Sequence, residues 1–338
     1  MIEPVILLAV LASWALTGGL RIYAERRRLI DIPNARSSHR IATPRGGGLA
    51  IVLVVLAGIA ALLLWGSVGR ELAWAVLGGG AGVALLGFVD DHGHVAAGWR
   101  LLGHFVAAIW VVAWLGGLPA IALFGHTLDL GPMGFALASV GLVWGLNLFN
   151  FMDGIDGIAG AEALTLGLLA SLCYTLAGMP GDASVEWLVA AATLGFLFWN
   201  FPRARIFMGD VGSGFLGLVF GALALHAAWQ APVLLWCWMV LAGVFVVDAT
   251  FTLLRRLQRG EAIHQAHRSH AYQIAARRVG RHVPITLGVV AINLGWLGPI
   301  AALVAVGRLE GVAGLIVAYL PLLALAIWLG AGTPERTS

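Results

Sequence analysis

The chain alternates long apolar stretches with short polar ones. Eleven apolar stretches can be drawn, at roughly 2–22, 46–66, 71–89, 99–117, 133–150, 158–178, 185–200, 212–228, 231–253, 283–305 and 310–330. At 1.5 Å per residue most of them reach across about 30 Å of hydrocarbon, 185–200 and 212–228 being the shortest. The longest connections, 23–45 and 254–282, are too short for a soluble domain. The pattern predicts an all-α polytopic membrane protein of about eleven transmembrane helices, one integral-membrane domain over residues 1–338. Residues 118–132 alternate weakly and predict a small hairpin between the fourth and fifth helices.

Composition agrees: 60% of residues are hydrophobic and 11% charged, and 46 glycines suit close helix contact in lipid. The chain has no lysine, so all 20 basic residues are arginines and a P-loop is excluded. With eleven spans, only Arg70 and Arg308 fall on one side and the other 18 arginines on the opposite side. The positive-inside rule makes the rich side cytoplasmic. The start, MIEPV, lacks a basic region ahead of its apolar run, which predicts an uncleaved first helix with its N-terminus outside. Cys173 and Cys237 fall inside spans with no metal-type spacing.

Polar chemistry concentrates in the connections on the arginine-rich side. The central stretch 147–160 reads NLFNFMDGIDGIAG. Asn147, Asn150 and Asp153 lie three apart, hence on one helical face, with Asp156 close behind. Asp90 and Asp91 end the third span; adjacent carboxylates there repel unless a cation or proton lies beside them. Mg²⁺ fits, because it takes one or two protein carboxylates and completes its shell with water and phosphate oxygens. Arg100 and His104 follow one turn apart. The first loop, with Arg36, His39, Arg45 and the Gly46–Gly48 run opening the second span, predicts a backbone and arginine site for phosphate. Asn200, Arg203, Arg205, Phe207 and Asp210 occupy WNFPRARIFMGDVGSG, where Asp210 suits either an N-cap or a ligand. His264, His267 and His270, with Arg268, would share one face of a helix and suit phosphate or metal. Asp248, seven residues before Arg255 within the ninth span, predicts a structural Asp–Arg tether. Asp182 and Glu186, on the opposite side, are expected to be solvated. Together these loops predict a cytoplasmic-face site for phosphoryl-type transfer between a soluble and a membrane-borne phosphate.

VDDHGH, NLFNFMDGIDGIAG, RIFMGDVGSGFLG and HRSHAYQ, with DIPNARSSHRIATPRGGG before them, resemble the motifs of the polyprenyl-phosphate N-acetylhexosaminyl-1-phosphate transferase family. The resemblance covers about residues 20–280. It implies a ten- or eleven-helix enzyme of the bacterial inner membrane, dependent on Mg²⁺ with Mn²⁺ as a substitute. Such an enzyme moves a sugar-1-phosphate from a UDP-N-acetylhexosamine to undecaprenyl phosphate and releases UMP. It implies no nucleic-acid partner and leaves a homodimer open. Carried over residue by residue, Asp90 and Asp91 would handle the lipid phosphate, one as base or near the metal. Asp210, with Asp91, would hold Mg²⁺; Asn200 and Phe207 would hold uridine; Asp153 and Asp156 would lie at the nucleotide-sugar site; and the His267/His270 segment would grip pyrophosphate or sugar. HRSHAYQ lacks the contiguous histidine triplet of the muramoyl-pentapeptide branch. It looks more like the branch that initiates O-antigen or related surface glycans, with N-acetylglucosamine or a 6-deoxy N-acetylhexosamine as donor sugar.

Direct attack of the lipid phosphate on the β-phosphorus and a two-step route through an aspartyl-phosphate both satisfy these residues. Two other classes are open on the residues alone. A transporter would place polar groups near the midplane and on both sides. A polyprenyl-diphosphate phosphatase would need no nucleotide pocket.

Overall fold

The computed structural model describes residues 2–33, 41–93, 95–261 and 267–334. Arg36, His39 and His264 lie outside them. Helix α1 (Ile2–Arg27) is followed by a two-strand bridge, β1 (Ile30–Asp31) with β2 (Thr43–Pro44), and by α2 (Leu49–Leu64). The third span is α3 (Arg70–Trp74), a π-helical turn over Ala75–Gly80 and α4 (Ala81–His92); α5 (Ala97–Leu115) follows. The predicted hairpin is present as β3 (Ile121–Leu123) and β4 (His126–Leu128), antiparallel. Then come α6 (Gly131–Phe151), α7 (Ile158–Leu176), α8 (Ser184–Asn200), α9 (Asp210–Gln230), α10 (Pro232–Leu241), α11 (Gly243–Gln258) and the short α12 (Ala271–Val279). The chain closes with α13 (Val283–Ile292), a second π-helical turn (Asn293–Leu297), α14 (Gly298–Ala305) and α15 (Gly311–Leu329).

Each of the eleven apolar stretches is therefore helical. Eight are long and apolar enough to cross a membrane among the described residues, and α10 with α11 forms a ninth that is bent by 66°. The remaining two, α2 with 16 residues and α8 with 17, are shorter. The ninth span is broken at Ala242, directly before Gly243.

Helix α9 is the centre of the bundle and is buried along most of its length, against α4, α6, α10 and α2. Small residues bring these backbones together, since in lipid packing must supply what water exclusion supplies in solution. A Cβ on Gly48 of the α2 entry would fall on the Cα of Gly212. One on Gly87 of α4 would come within 2.6 Å of the Asp210–Val211 peptide. These notches press the ends of α2 and α4 against the start of α9.

Two further acidic groups are buried in the bundle. Glu162 of α7 accepts the Asn293 amide at 2.7 Å, and the same amide reaches Thr165 at 2.8 Å. Glu186, expected to be solvated, is 1% exposed in the first turn of α8. There the N-terminal end of the helix dipole favours an acid.

Overpacking tests the central contact. Gly48→Ala should cost about 1–3 kcal/mol and lower the melting temperature of the detergent-solubilised protein. Gly82→Ala, where nothing lies within 4 Å, should leave it unchanged or slightly raised. Equal melting of the two variants would mean that the α2–α9 notch is not tightly packed.

Candidate active site

At the N-terminal end of α9 the backbone presents N–H groups without partners inside the helix. Asp91, one residue before the end of α4, supplies the acceptors. Its Oδ1 lies 3.3 Å from the Asp210 nitrogen and its Oδ2 3.2 Å from that of Val211. The carboxylate is 5% exposed and occupies the space a side chain on Gly209 would need, where φ is +79°. Asp91, expected beside the metal, thus caps α9 and sets the direction of Asp210.

Asp90 points elsewhere, since successive helical side chains diverge by about 100°. Its Oδ1 accepts the Val95 N–H at 2.8 Å, and its Oδ2 accepts Arg100 Nη1 at 2.6 Å. The same Nη1 lies 3.3 Å from Asp210 Oδ2, so one guanidinium serves two carboxylates. Asp210 is the first residue of α9, with Gly209 at the cap position, and its side chain faces the cleft. Asn150 Nδ2 donates to Asp210 Oδ1 at 2.8 Å and to Ser213 Oγ at 3.1 Å. Asn147, one turn earlier on α6, donates to Val143 O at 2.7 Å and lies 3.5 Å from His104 Nδ1. Asp90, Arg100, His104, Asn147, Asn150 and Asp210 line one cleft.

Asp153 lies two residues past the end of α6, and Asp156 at the turn before α7. His282, which sequence reasoning passed over, has Nδ1 within 3.3 Å of both Asp156 Oδ2 and the Asp156 nitrogen. Thr286 donates to the Asp156 carbonyl at 2.8 Å. Asn200 is buried with both ends of its amide engaged: Oδ1 accepts the Gly157 N–H at 3.0 Å and Nδ2 donates to Ile206 O at 2.9 Å. It ties the central loop to the loop carrying Phe207.

The glycine run of the first loop differs from expectation. Gly47 and Gly48 donate their N–H groups to the carbonyls of Phe207 and Met208, both at 2.9 Å, and Phe207 donates to Pro44 O at 2.8 Å. These N–H groups close a backbone ladder and are not directed at a phosphate. Arg45 donates from Nη2 to the Asp91 carbonyl at 2.5 Å, holding the last turn of α4.

The histidine segment also differs. Residues 267–269 are not helical, and α12 begins at Ala271 because His270 and Gln273 form a capping box. His270 is 2% exposed, with its ring 4.8 Å from that of His267. Asp248 is indeed structural, but its partner is the start of α12: it accepts Ala271 N–H at 2.8 Å, Tyr272 N–H at 3.0 Å and the Thr252 hydroxyl at 3.1 Å. Arg255 turns to the Ala331 carbonyl instead, at 3.0 Å. Tyr272 in turn donates to Phe151 O at 2.9 Å, joining this segment to the end of α6. Arg268 and His267 are partly exposed beside it.

The donor set suits a hard cation. Among the described residues no three His, Cys, Asp or Glu side chains are grouped so as to hold a metal by themselves. Mg²⁺ does not need such a cage: it binds through one or two carboxylates together with substrate phosphates and water. Asp210, facing the cleft, offers that kind of ligand. Burial, followed by the charges of Asp210, Asp91 and Asp156, pushes the Asp153 carboxyl well above the usual carboxylate range. A raised folded-state value means that Asp153 supports the fold most at low pH. That support is lost as pH rises from about 4. In EDTA, Asp153→Asn should therefore melt above the parent at pH 8, with the difference closing toward about pH 4. Melting curves that run parallel across this range would show that the carboxyl feels no such repulsion.

The sequence model of glycosyl transferase family 4 matches residues 73–228, which hold the α4, α6 and α9 parts of this cleft. The chain is 32% identical over 250 residues to a probable undecaprenyl-phosphate N-acetylglucosaminyl 1-phosphate transferase of Bacillus subtilis (strain 168), covering 72% of this chain and 68% of that protein. It is 30% identical over 335 residues to a decaprenyl-phosphate N-acetylglucosaminephosphotransferase of Mycobacterium leprae (strain TN), covering 85% and 81%. The protein of that name from Mycobacterium tuberculosis (strain ATCC 25618 / H37Rv) is 31% identical, with 85% and 80% covered. With the polar cleft at the start of α9 and these relatives matched over most of their length, the chain belongs to glycosyl transferase family 4.

Proposed function

We propose that the protein is a sugar-1-phosphate transferase that moves N-acetylhexosamine-1-phosphate from a UDP-sugar to a polyprenyl phosphate, undecaprenyl phosphate in a bacterial inner membrane. The observation that carries this reading is the Arg100-bridged pair Asp90 and Asp210, opening at the end of a membrane bundle. A cleft there can receive a phosphate from the bilayer and a pyrophosphate from water. The excess of arginines on this side supports a cytoplasmic site and an outward N-terminus.

An oxygen of the lipid phosphate attacks the β-phosphorus of the donor. The bond from that phosphorus to the bridging oxygen breaks, and UMP leaves with the electron pair. Asp90, fixed by Arg100 and the Val95 N–H, takes the proton of the acceptor phosphate where one is present. Arg100 and Asn150 hold the reacting groups against the face of Asp210. The partly exposed Phe207 stacks on the uracil, while Asn200 keeps its loop in place. His267 and Arg268 meet the pyrophosphate or sugar, with Asp153 and Asp156 along the donor side. Asp210 would hold Mg²⁺, which would supply neutralisation of pyrophosphate charge and polarisation of the transferred phosphoryl group. The HRSHAYQ segment favours a surface-glycan donor, N-acetylglucosamine or a 6-deoxy N-acetylhexosamine, over a muramoyl-pentapeptide.

UMP release by the purified protein, with undecaprenyl phosphate, Mg²⁺ and a panel of UDP-N-acetylhexosamines, tests the reading. One donor should support turnover, and Asp210→Asn should lower it by at least about 100-fold without unfolding the protein. No UMP from any donor by a folded parent would sink it in favour of a phosphatase or transporter.

A further inference from the structure

The far end of the chain folds back onto the histidine segment. Helix α15 ends at Gly330 in the left-handed conformation, and the next residues turn under α12. Gly332 donates its N–H to the Ser269 carbonyl at 2.7 Å. Ala331 is fully buried in a small apolar cluster with Ala271 and Ala326. Its carbonyl accepts Arg255 Nη1 at 3.0 Å, and Arg278 donates to the Leu329 carbonyl at 3.0 Å. Gly332 has φ +71°, and a Cβ there would lie 3.0 Å from both Arg255 Cβ and the Thr252 carbonyl. Only glycine fits this turn without strain.

Ser269 is the residue this turn grips, and it lies between His267 and His270. Its Oγ is 3.0 Å from His267 Nδ1, and its backbone N is 3.4 Å from the same atom. The segment is thus held from two sides. Asp248 fixes the N–H groups that follow it, and Gly332 fixes the carbonyl in its middle. Residues 267–269 make no helix of their own, and the Ser269 carbonyl takes the Gly332 N–H from the far end of α15. A loop that must meet a flexible diphosphate gains affinity when it is ordered beforehand.

We propose that Gly332 and Arg255 are positioning residues for donor binding: the turn after α15 straps the Ser269 carbonyl and so presets His267. This rests on the reading of His267 and Arg268 as donor contacts.

The test uses full-length Gly332→Val, Arg255→Met and Arg255→Lys in the UMP-release assay, with hydrogen exchange of residues 267–273 followed on the same samples. Gly332→Val and Arg255→Met should raise the KM for the UDP-sugar about tenfold and leave kcat within about threefold, as expected for lost preorganisation. Exchange in the segment should quicken. Arg255→Lys, which keeps a donor for the Ala331 carbonyl, should stay near the parent. Unchanged KM and exchange would overturn the strap. So would loss of kcat together with a lowered melting temperature in all three variants, which marks a merely structural role. If the parent releases no UMP, the transferase reading fails instead, and the exchange measurement still reports whether the turn orders the segment.

Discussion

The site depends on the acceptance of two backbone N–H groups by one buried carboxylate. Asp91 closes the open end of α9, and in doing so fixes where the first residue of that helix points. Asp210 could not face a cleft shared with Asp90 and Arg100 if α9 began a turn earlier or later. The charge on Asp91 also meets the positive end of the α9 dipole, so its burial is compensated where a bare carboxylate would be costly. Arg45 holds the same turn from behind through the Asp91 carbonyl. The close glycine contacts at Gly48 and Gly87 leave α2 and α4 no room to shift.

Around this fixed point the other polar residues divide into those that face the cleft and those that hold its walls. Asn150, Arg100 and Asp90 touch Asp210 or one another. Asn200, His270 and Asp248 are buried and make their contacts inside the protein. Asn200 and His270 have the side chains expected of ligand contacts, which is why a sequence motif contains both kinds of residue without distinction. Removing a wall residue would move a contact residue, so the two would look alike in an activity assay alone.

Much of this was legible in advance, for physical reasons. Apolar length reveals a span because lipid offers the backbone no partners. The parity of the spans then brings Asp90, Asn150, Asn200 and Asp210 to one end. Which way each side chain turns is set by partners distant in the chain: Asp91 by residues 210 and 211, Asp248 by residues 271 and 272. The spacing of His264, His267 and His270 suggested a helical face. The capping pair His270 and Gln273 starts α12 at Ala271, so residues 267–269 stand outside that helix. Glu186 follows a polar loop, and a buried helix start cannot be told from an exposed one by composition.

The bend between α10 and α11 has a geometric consequence. Helix α11 has 16 residues, about 24 Å of rise. Gly243 at its start lies against Tyr319 and Leu322 of α15, and Arg255 near its end lies against Gly332 just past α15, so α11 runs alongside α15 while α10 leaves it at 66°. Helix α11 carries Asp248 to the start of α12 and Arg255 to the turn after α15, so one helix holds the histidine segment from both sides.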